Sequence, residues 1–446
     1  MEAIRSTKSC EEVNILQKIF KLKENNTTVK QEVIAGITTF MTMAYILVVN
    51  PQILGAAGMD KGAVFVATAL SGALATFIMA FMANYPFALA PGMGLNAFFT
   101  FGVVKGMGYS WEFALTAVFI EGLIFILLTF LNVREKIVNA IPMVIKDSVT
   151  VGIGLFIAFI GLVNVGMIKV GGAIIELGNM KSPLIVLTIF GLILTSVLVA
   201  KNVKGALLIG MLSTSLLGMI VRIVPMPQGI ISLPPSLSPT LMAFTKVPQA
   251  QIFSMDMVLV VFTFLFVDMF DTIGCLVGLA SKVGALDEKG SLPKAKEALF
   301  ADAIGTTAGA MMGTSTVTTF IESASGISEG GRTGLTSFTT GMLFLASTLF
   351  APVFTAIPSQ ATAPVLILVG VMMMSSITKI NFNDFTEAVP AFLTIIMMPL
   401  AYSIAEGLVF GIVSYVGIKL LSGKGKTIQL TMYVLCVFFI LKFALL

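Results

Sequence analysis

The chain has 446 residues, 57% hydrophobic and only 11% charged, with mean hydropathy +1.00 and a formal net charge of +4. Soluble domains carry about 25% charged residues, and one core could not bury so many long apolar runs, so a water-soluble globule is excluded. Histidine is absent, which excludes imidazole proton relays and His-ligated metals. Cys10, Cys275 and Cys436 form no pair at metal or redox spacing.

Residues 1–31 are polar and mixed in charge, and read as a cytoplasmic N-terminal segment without a cleavable signal. Apolar runs then lie near 33–54, 62–83, 86–104, 111–131, 147–165, 182–200 and 203–221. Most approach the roughly 20 residues that a membrane-spanning helix needs. A polar stretch over 222–254 holds Pro225, Pro227, Pro234, Pro235 and Pro239, too many for a continuous helix. Seven more runs follow near 256–280, 298–312, 313–328, 333–353, 358–378, 386–402 and 404–421. The organisation expected is a seven-span unit (32–221), an extracellular linker (222–254), a second seven-span unit (255–422) and a C-terminal segment (423–446). Residues 428–446 are apolar but short and carry Lys442, so a helix in the cytoplasmic interface is preferred to a fifteenth span.

Basic residues test the count. With the N-terminus inside and every run crossing, twenty Lys and Arg fall inside and six outside, with Lys442 left over. One missed span in the middle would invert the second half and destroy this bias.

Two runs do not read as full helices. Pro86, Pro91, Gly92 and Gly94 are expected to break the third run before Asn96, with a helix resuming over 97–104. In the tenth run, Thr314 to Ile321 is β-branched and hydroxyl-rich, as in a strand. Irregular backbone at membrane depth survives only where protein or a cavity satisfies it, and matching breaks in two halves point to a transporter's site. Thr42 to Asn96 and Asp268 to Glu322 both span 54 residues, which fits an inverted seven-plus-seven repeat.

Acids inside apolar runs each call for a reason, at roughly 2.5–3.5 kcal/mol apiece. Asp268 and Asp271 lie three apart on one helix face, with Phe264 one turn earlier. A ring beside paired carboxylates suits a flat heterocycle that donates N–H groups. The alternative is helix capping by one acid and plain packing by Phe264. Glu322 falls at the strand-to-helix junction, as a ligand or proton carrier or as a cap for the half-helix. Asn96 stands at the matching junction, offering donor and acceptor to the edge of such a heterocycle or capping its own half-helix. Glu121 reads as a helix-to-helix hydrogen bond, Asp302 as a helix-start residue, Glu406 as interfacial, and the Met372–Met374 cluster as packing.

At these residues the sequence resembles the AzgA-like hypoxanthine/guanine/adenine permeases, a branch of the nucleobase–cation symporter-2 (xanthine/uracil permease) family. The resemblance runs from about Thr28 to the C-terminus and rests on GITTFMTMAYILVVNP (36–51), APGMGLNAFF (90–99), FLFVDMFDTIG (264–274), GTSTVTTFIESASG (313–326) and AVPAFLTIIMMPLAYSIAEG (388–407). It implies an all-α polytopic membrane fold of fourteen segments, with short strands in spans 3 and 10. A core domain (spans 1–4 and 8–11) would move against a gate domain (spans 5–7 and 12–14). It places Asn96, Asp268, Asp271 and Glu322 on positions tied to binding or transport, and adds backbone contacts around Leu95 and Ile321.

The function expected is secondary active import of purine bases, hypoxanthine or guanine favoured and adenine open, coupled to H+ with Na+ as the alternative. Substrate contacts fall to Asn96, Asp268, Glu322, Leu95, Ile321 and Phe264, and proton coupling to Glu322, Asp268 and Asp271. An uncoupled facilitator and an anion exchanger of the same fold stand as alternatives. No nucleophile–base pair, metal cluster or phosphate loop points to an enzyme. No cofactor, metal or nucleic acid is expected; the lipid bilayer is a partner, and a homodimer is left open.

Overall fold

Helix starts follow local capping. In the computed structural model, which describes residues 15–131, 142–171, 174–227, 229–286 and 292–445, α1 (Val29–Met43) begins where the Thr28 hydroxyl accepts from the Gln31 amide. A tight turn at Ala44–Tyr45 leads into α2 (Ile46–Gly55), which continues the same span. Asp60 caps α3 (Lys61–Ile78) by accepting from Ala63 at 2.8 Å, and α3 widens into a π-helical turn over Met79–Ala83. Asn84 stops it in the left-handed region, at φ 56.

The third span is broken into β1 (Leu89–Pro91), α4 (Met93–Ala97) and a π-helical stretch, Phe98–Gly106. Then come α5 (Trp111–Phe130), α6 (Met143–Asn164), a hairpin of β2 (Ile168–Gly171) and β3 (Ile174–Leu177), α7 (Pro183–Ala200) and α8 (Ala206–Ile220). The second half runs through α9 (Gln249–Ile252), α10 (Met255–Val283), α11 (Ala295–Met312), β4 (Val317–Thr319), α12 (Ser323–Ser328), α13 (Gly334–Ser347), α14 (Ala351–Thr355), α15 (Ser359–Met374), α16 (Phe385–Leu400), α17 (Ile404–Leu421) and α18 (Leu430–Leu445). Among the described residues nine helices are long and apolar enough to cross a membrane, and α8 and α16 are shorter apolar helices. The fold is that of an all-α membrane protein with short strands in the third and tenth apolar runs. The β2–β3 hairpin was not legible in the sequence.

Helices pack in two sets. In one, α13 lies on α1 and α3, α11 on α3 and α5, α12 on α1, and α10 on α5. In the other, α15 lies on α6, α7 and α8, and α16 on α6 and α17. Buried Glu32 ties the first set together. Its carboxylate accepts from the amides of Arg332 (2.9 Å), Thr333 (3.2 Å) and Thr336 (3.2 Å) and from the Thr336 hydroxyl (2.7 Å). These are the orphan donors at the start of α13, where a negative charge is favoured. Two polar links join the sets. Gln52 donates to the Ile357 carbonyl (2.8 Å) and accepts from the Thr362 hydroxyl (2.5 Å), and Lys204 pairs with Glu329 at 2.6 Å.

The proline-rich linker is fastened to the first set. The Ser232 amide donates to the Leu349 carbonyl (2.9 Å), the Met242 amide to Met311 (2.7 Å) and the Thr240 hydroxyl to Met312 (2.8 Å). Beyond them the Phe244 carbonyl accepts from the Thr116 hydroxyl at 2.8 Å. Where α16 begins, Asp384 accepts from Lys424 at 2.8 Å and from Thr386, which holds its carboxyl below the usual range.

Along α18, Met432, Cys436 and Phe439 are buried, and the Phe439 ring meets Phe262 of α10 at 5.7 Å. Leu430, Val434, Val437 and Ile440 are exposed.

Candidate functional site

The two broken spans meet through their strands. β1 and β4 pair antiparallel with Leu89 opposite Thr319 and Pro91 opposite Val317, extended by Gly92 N–H to Thr316 (2.9 Å) and Phe320 N–H to Ala88 (3.0 Å). The outer edge of each strand is closed by a threonine from the preceding helix. Thr76 accepts from Leu89 N–H (3.0 Å) and donates to the Leu89 carbonyl (3.2 Å), and Thr306 does the same for Val317 (3.1 Å each way). Extended backbone buried among helices is therefore paid in hydrogen bonds.

Glycine permits the close approach. A Cβ at Gly92 would stand 3.0 Å from the Thr318 side chain, and one at Gly94 would stand 2.7 Å from Ile153 of α6. Gly92 is the N-cap of α4, so the helix resumes at Met93 and Asn96 sits inside it rather than at the junction expected. The reason is that Pro91 and Gly92 complete the break by themselves. Asn96 is fully buried; its Oδ1 accepts from the Ser315 hydroxyl, and its Nδ2 has no partner among the described residues.

Glu322 does stand at its junction, as the N-cap residue of α12, but its carboxylate does not cap. It accepts instead from the Tyr45 hydroxyl at 2.6 Å, across from the α1–α2 turn. Asp268 is fully buried on α10, and the Thr272 hydroxyl one turn on lies 3.0 Å from its Oδ1 and 2.8 Å from Oδ1 of Asp302. Asp271 is half-buried, within reach of Thr318 and electrostatically coupled to Glu322 and Asp302. Phe264 is buried with its ring edge-to-face against Phe98, centroids 4.8 Å apart, and Leu95 is buried as well.

A cavity of about 450 Å³ reaches this cluster from one side, lined by Thr42, Lys204, Ile321, Glu322, Glu329 and Met372 among others. Of the residues singled out in the sequence, Ile321 and Glu322 line it, while Asn96, Leu95, Phe264 and Asp268 are buried and do not. Met372 lines the cavity rather than only packing.

One further expectation needs correction. Asp302 is mid-helix in α11, because the helix starts at Ala295, ahead of the apolar run, and its carboxylate meets α10. Glu121 accepts from the Thr316 hydroxyl at 2.6 Å, so it braces the extended segment before β4. Asn50, not singled out at all, donates to Thr68 (2.7 Å) and Thr314 (2.8 Å), strapping the same segment to α2 and α3. Tyr45, Thr272 and Ser315 were also missed. Only Thr272, four residues after Asp268 on the same face, carried a local signal.

This fold is that of known membrane transporters. It matches the transmembrane domain of the cyanobacterial bicarbonate transporter BicA with TM-score 0.63 at 17% identity, over 84% of this chain and 97% of that one. It matches SLC26A9 with TM-score 0.63 at 10% identity, over 92% of this chain and 70% of that one. The chain belongs to the nucleobase permeases: the family described as "Permease family" matches residues 30–410. It is 52% identical to the putative permease MJ0326 of Methanocaldococcus jannaschii, over 97% of this chain and 98% of that protein. It is 47% identical to the guanine/hypoxanthine permease PbuG of Bacillus subtilis (96% and 99% covered) and 43% identical to the adenine permease AdeP of Escherichia coli (96% and 96%). The chain is a multi-span membrane transporter and not an enzyme.

Proposed function

We propose that this permease imports purine bases across the cell membrane by proton symport with alternating access, its N-terminus in the cytoplasm. The observation that carries the reading is Glu322, an acid lining a cavity of about 450 Å³, held by Tyr45 and close to Asp271. The cavity volume falls in the range of small-molecule sites, roughly 300–1,000 Å³. The free Nδ2 of Asn96 supplies a donor for a ring nitrogen or carbonyl, and Asp268 an acceptor for ring N–H and amino groups. That pairing favours hypoxanthine or guanine, because adenine presents no N1–H. Leu95 and Ile321 would contribute backbone contacts and Phe264 a ring face. Asp268, Asp271 and Glu322 would carry the proton, with Na+ as the competing ion.

A neutral purine gains nothing from the membrane potential. A co-transported proton gains about 2.3 kcal/mol per 100 mV, which supports roughly fifty-fold accumulation. In this reading the first helix set is the core, the second the gate, and the Lys204–Glu329 and Gln52–Thr362 contacts close and open in turn. Radiolabelled hypoxanthine uptake, competed by guanine, adenine, uracil and nucleosides with and without a protonophore, tests it. Purines should compete and the protonophore should abolish accumulation. Preference for uracil would refute the purine assignment, and insensitivity to the protonophore would leave a facilitator.

Topology supplies a second expected result. In a functional cysteine-free background, Leu233→Cys, which is 88% exposed on the linker, should react with a membrane-impermeant thiol reagent in intact cells. Reaction only after permeabilisation would overturn the fourteen-span count.

A further inference from the structure

Thr272 stands between two buried carboxylates from different helices. Its hydroxyl has one hydrogen, yet its oxygen lies within hydrogen-bonding distance of Asp268 (3.0 Å) and of Asp302 (2.8 Å). An ionised carboxylate only accepts. One hydroxyl hydrogen therefore satisfies one of these contacts, and the other is a hydrogen bond only if its carboxyl carries a proton and donates to Thr272. Both acids are fully buried, where two like charges bridged by a single hydroxyl are costly.

We infer that Asp268 and Asp302 hold one proton in common through Thr272, and that Asp302 is the residue on which this proton rests while the base is bound. This rests on the symport reading. With a purine in place, Asp268 is ionised and accepts the base N–H groups, Thr272 donates to Asp268, and protonated Asp302 donates to Thr272. When the base leaves, the Asp302 O–H breaks as its proton bonds to Oγ of Thr272, and the hydrogen already on Oγ bonds to Asp268. Thr272 ends as it began, a neutral hydroxyl, and one proton has moved from Asp302 to Asp268. Asp302, like Asp268, does not line the cavity, and Thr272 stands between the two, so its part is to position charge for Asp268.

Among the described residues, the titratable groups near this pair include Asp271 and Cys275 on α10, Glu322 after β4, Tyr45 at the α1–α2 turn and Glu121 on α5. Tyr45 donates to Glu322, and Glu121 accepts from Thr316. On α3, which packs along α11, the sole charged side chain is Lys61 at its first residue.

The test is infrared difference spectroscopy on the purified full chain with and without hypoxanthine at neutral pH, beside uptake assays across pH. Wild type should show a protonated-carboxyl band with a component that both Asp302→Asn and Asp268→Asn remove. Thr272→Ser should keep that component, and Thr272→Val should shift or remove it. Thr272→Val should also slow uptake about ten-fold and displace its pH profile, as expected for a lost hydrogen bond to a charged group, with Thr272→Ser restoring both. A merely structural threonine would leave the pH profile in place. A band that Asp302→Asn leaves unchanged, or a Thr272→Val protein with the wild-type pH profile, overturns the inference. Protonophore-insensitive uptake with the band intact would sink symport and leave the shared proton standing. A missing band with protonophore-sensitive uptake would do the reverse.

Discussion

Asp268→Asn is expected to weaken purine binding by about ten- to hundred-fold, the cost of one charge-assisted hydrogen bond, roughly 1.5–3 kcal/mol. The amide keeps the carboxylate's shape but turns a donor toward the ring N–H. Glu322→Gln should behave differently. The amide oxygen can still accept from the Tyr45 hydroxyl, so the α1–α2 turn keeps its contact and the cavity its form. Glutamine mimics the protonated acid, so purine should still bind, with the pH dependence of binding largely lost. Uphill accumulation should vanish while exchange of internal for external purine persists. Direct binding and counterflow on purified protein check both. Normal binding in Asp268→Asn together with abolished binding in Glu322→Gln would swap the two roles, since neighbouring acids titrate as a coupled set.

A second large effect is expected at Glu32. Glu32→Ala removes the acceptor of three backbone amides and one hydroxyl, all where α13 begins. Each unmet buried donor costs about 1–3 kcal/mol, so the loss should amount to several kcal/mol even after partial relaxation. Thermal melting in detergent should show a steep drop for Glu32→Ala. Glu32→Gln, which keeps one acceptor oxygen, should lose less. A Glu32→Ala protein as stable as wild type would show that water or a rearranged turn replaces the carboxylate.

Much of the architecture was written locally. The proline–glycine run over 86–94 and the β-branched run over 314–321 announce the two breaks. Hydropathy reports which stretches avoid water, and that depends on neighbours in sequence. What it cannot report is where a buried acid finds its partner. Glu322 meets Tyr45 at 277 positions' remove, Glu121 meets Thr316 at 195, and Asp302 meets Thr272 at 30. Such pairings are decided by helix packing, which is why Asp302 read as a helix-start residue and Tyr45 did not stand out. The misplacement of Asn96 has a smaller cause: glycine serves equally as breaker and as N-cap, so the composition left the restart of α4 open by a few residues.

The pairing of β1 with β4 also governs how the chain is made. Leu89 bonds in register with Thr319, roughly 230 residues later, so the third span cannot be completed when it leaves the ribosome. At about 5–20 residues per second, that interval lasts roughly 10–50 s. Through all of it the Leu89–Pro91 backbone is inside or beside the bilayer without its partner strand, where each unmet polar group costs several kcal/mol. Thr76 covers the Leu89 amide and carbonyl from the outset, because α3 emerges first. The remaining groups must wait in water or within the insertion machinery, so the third span is finished only once the second half has been made.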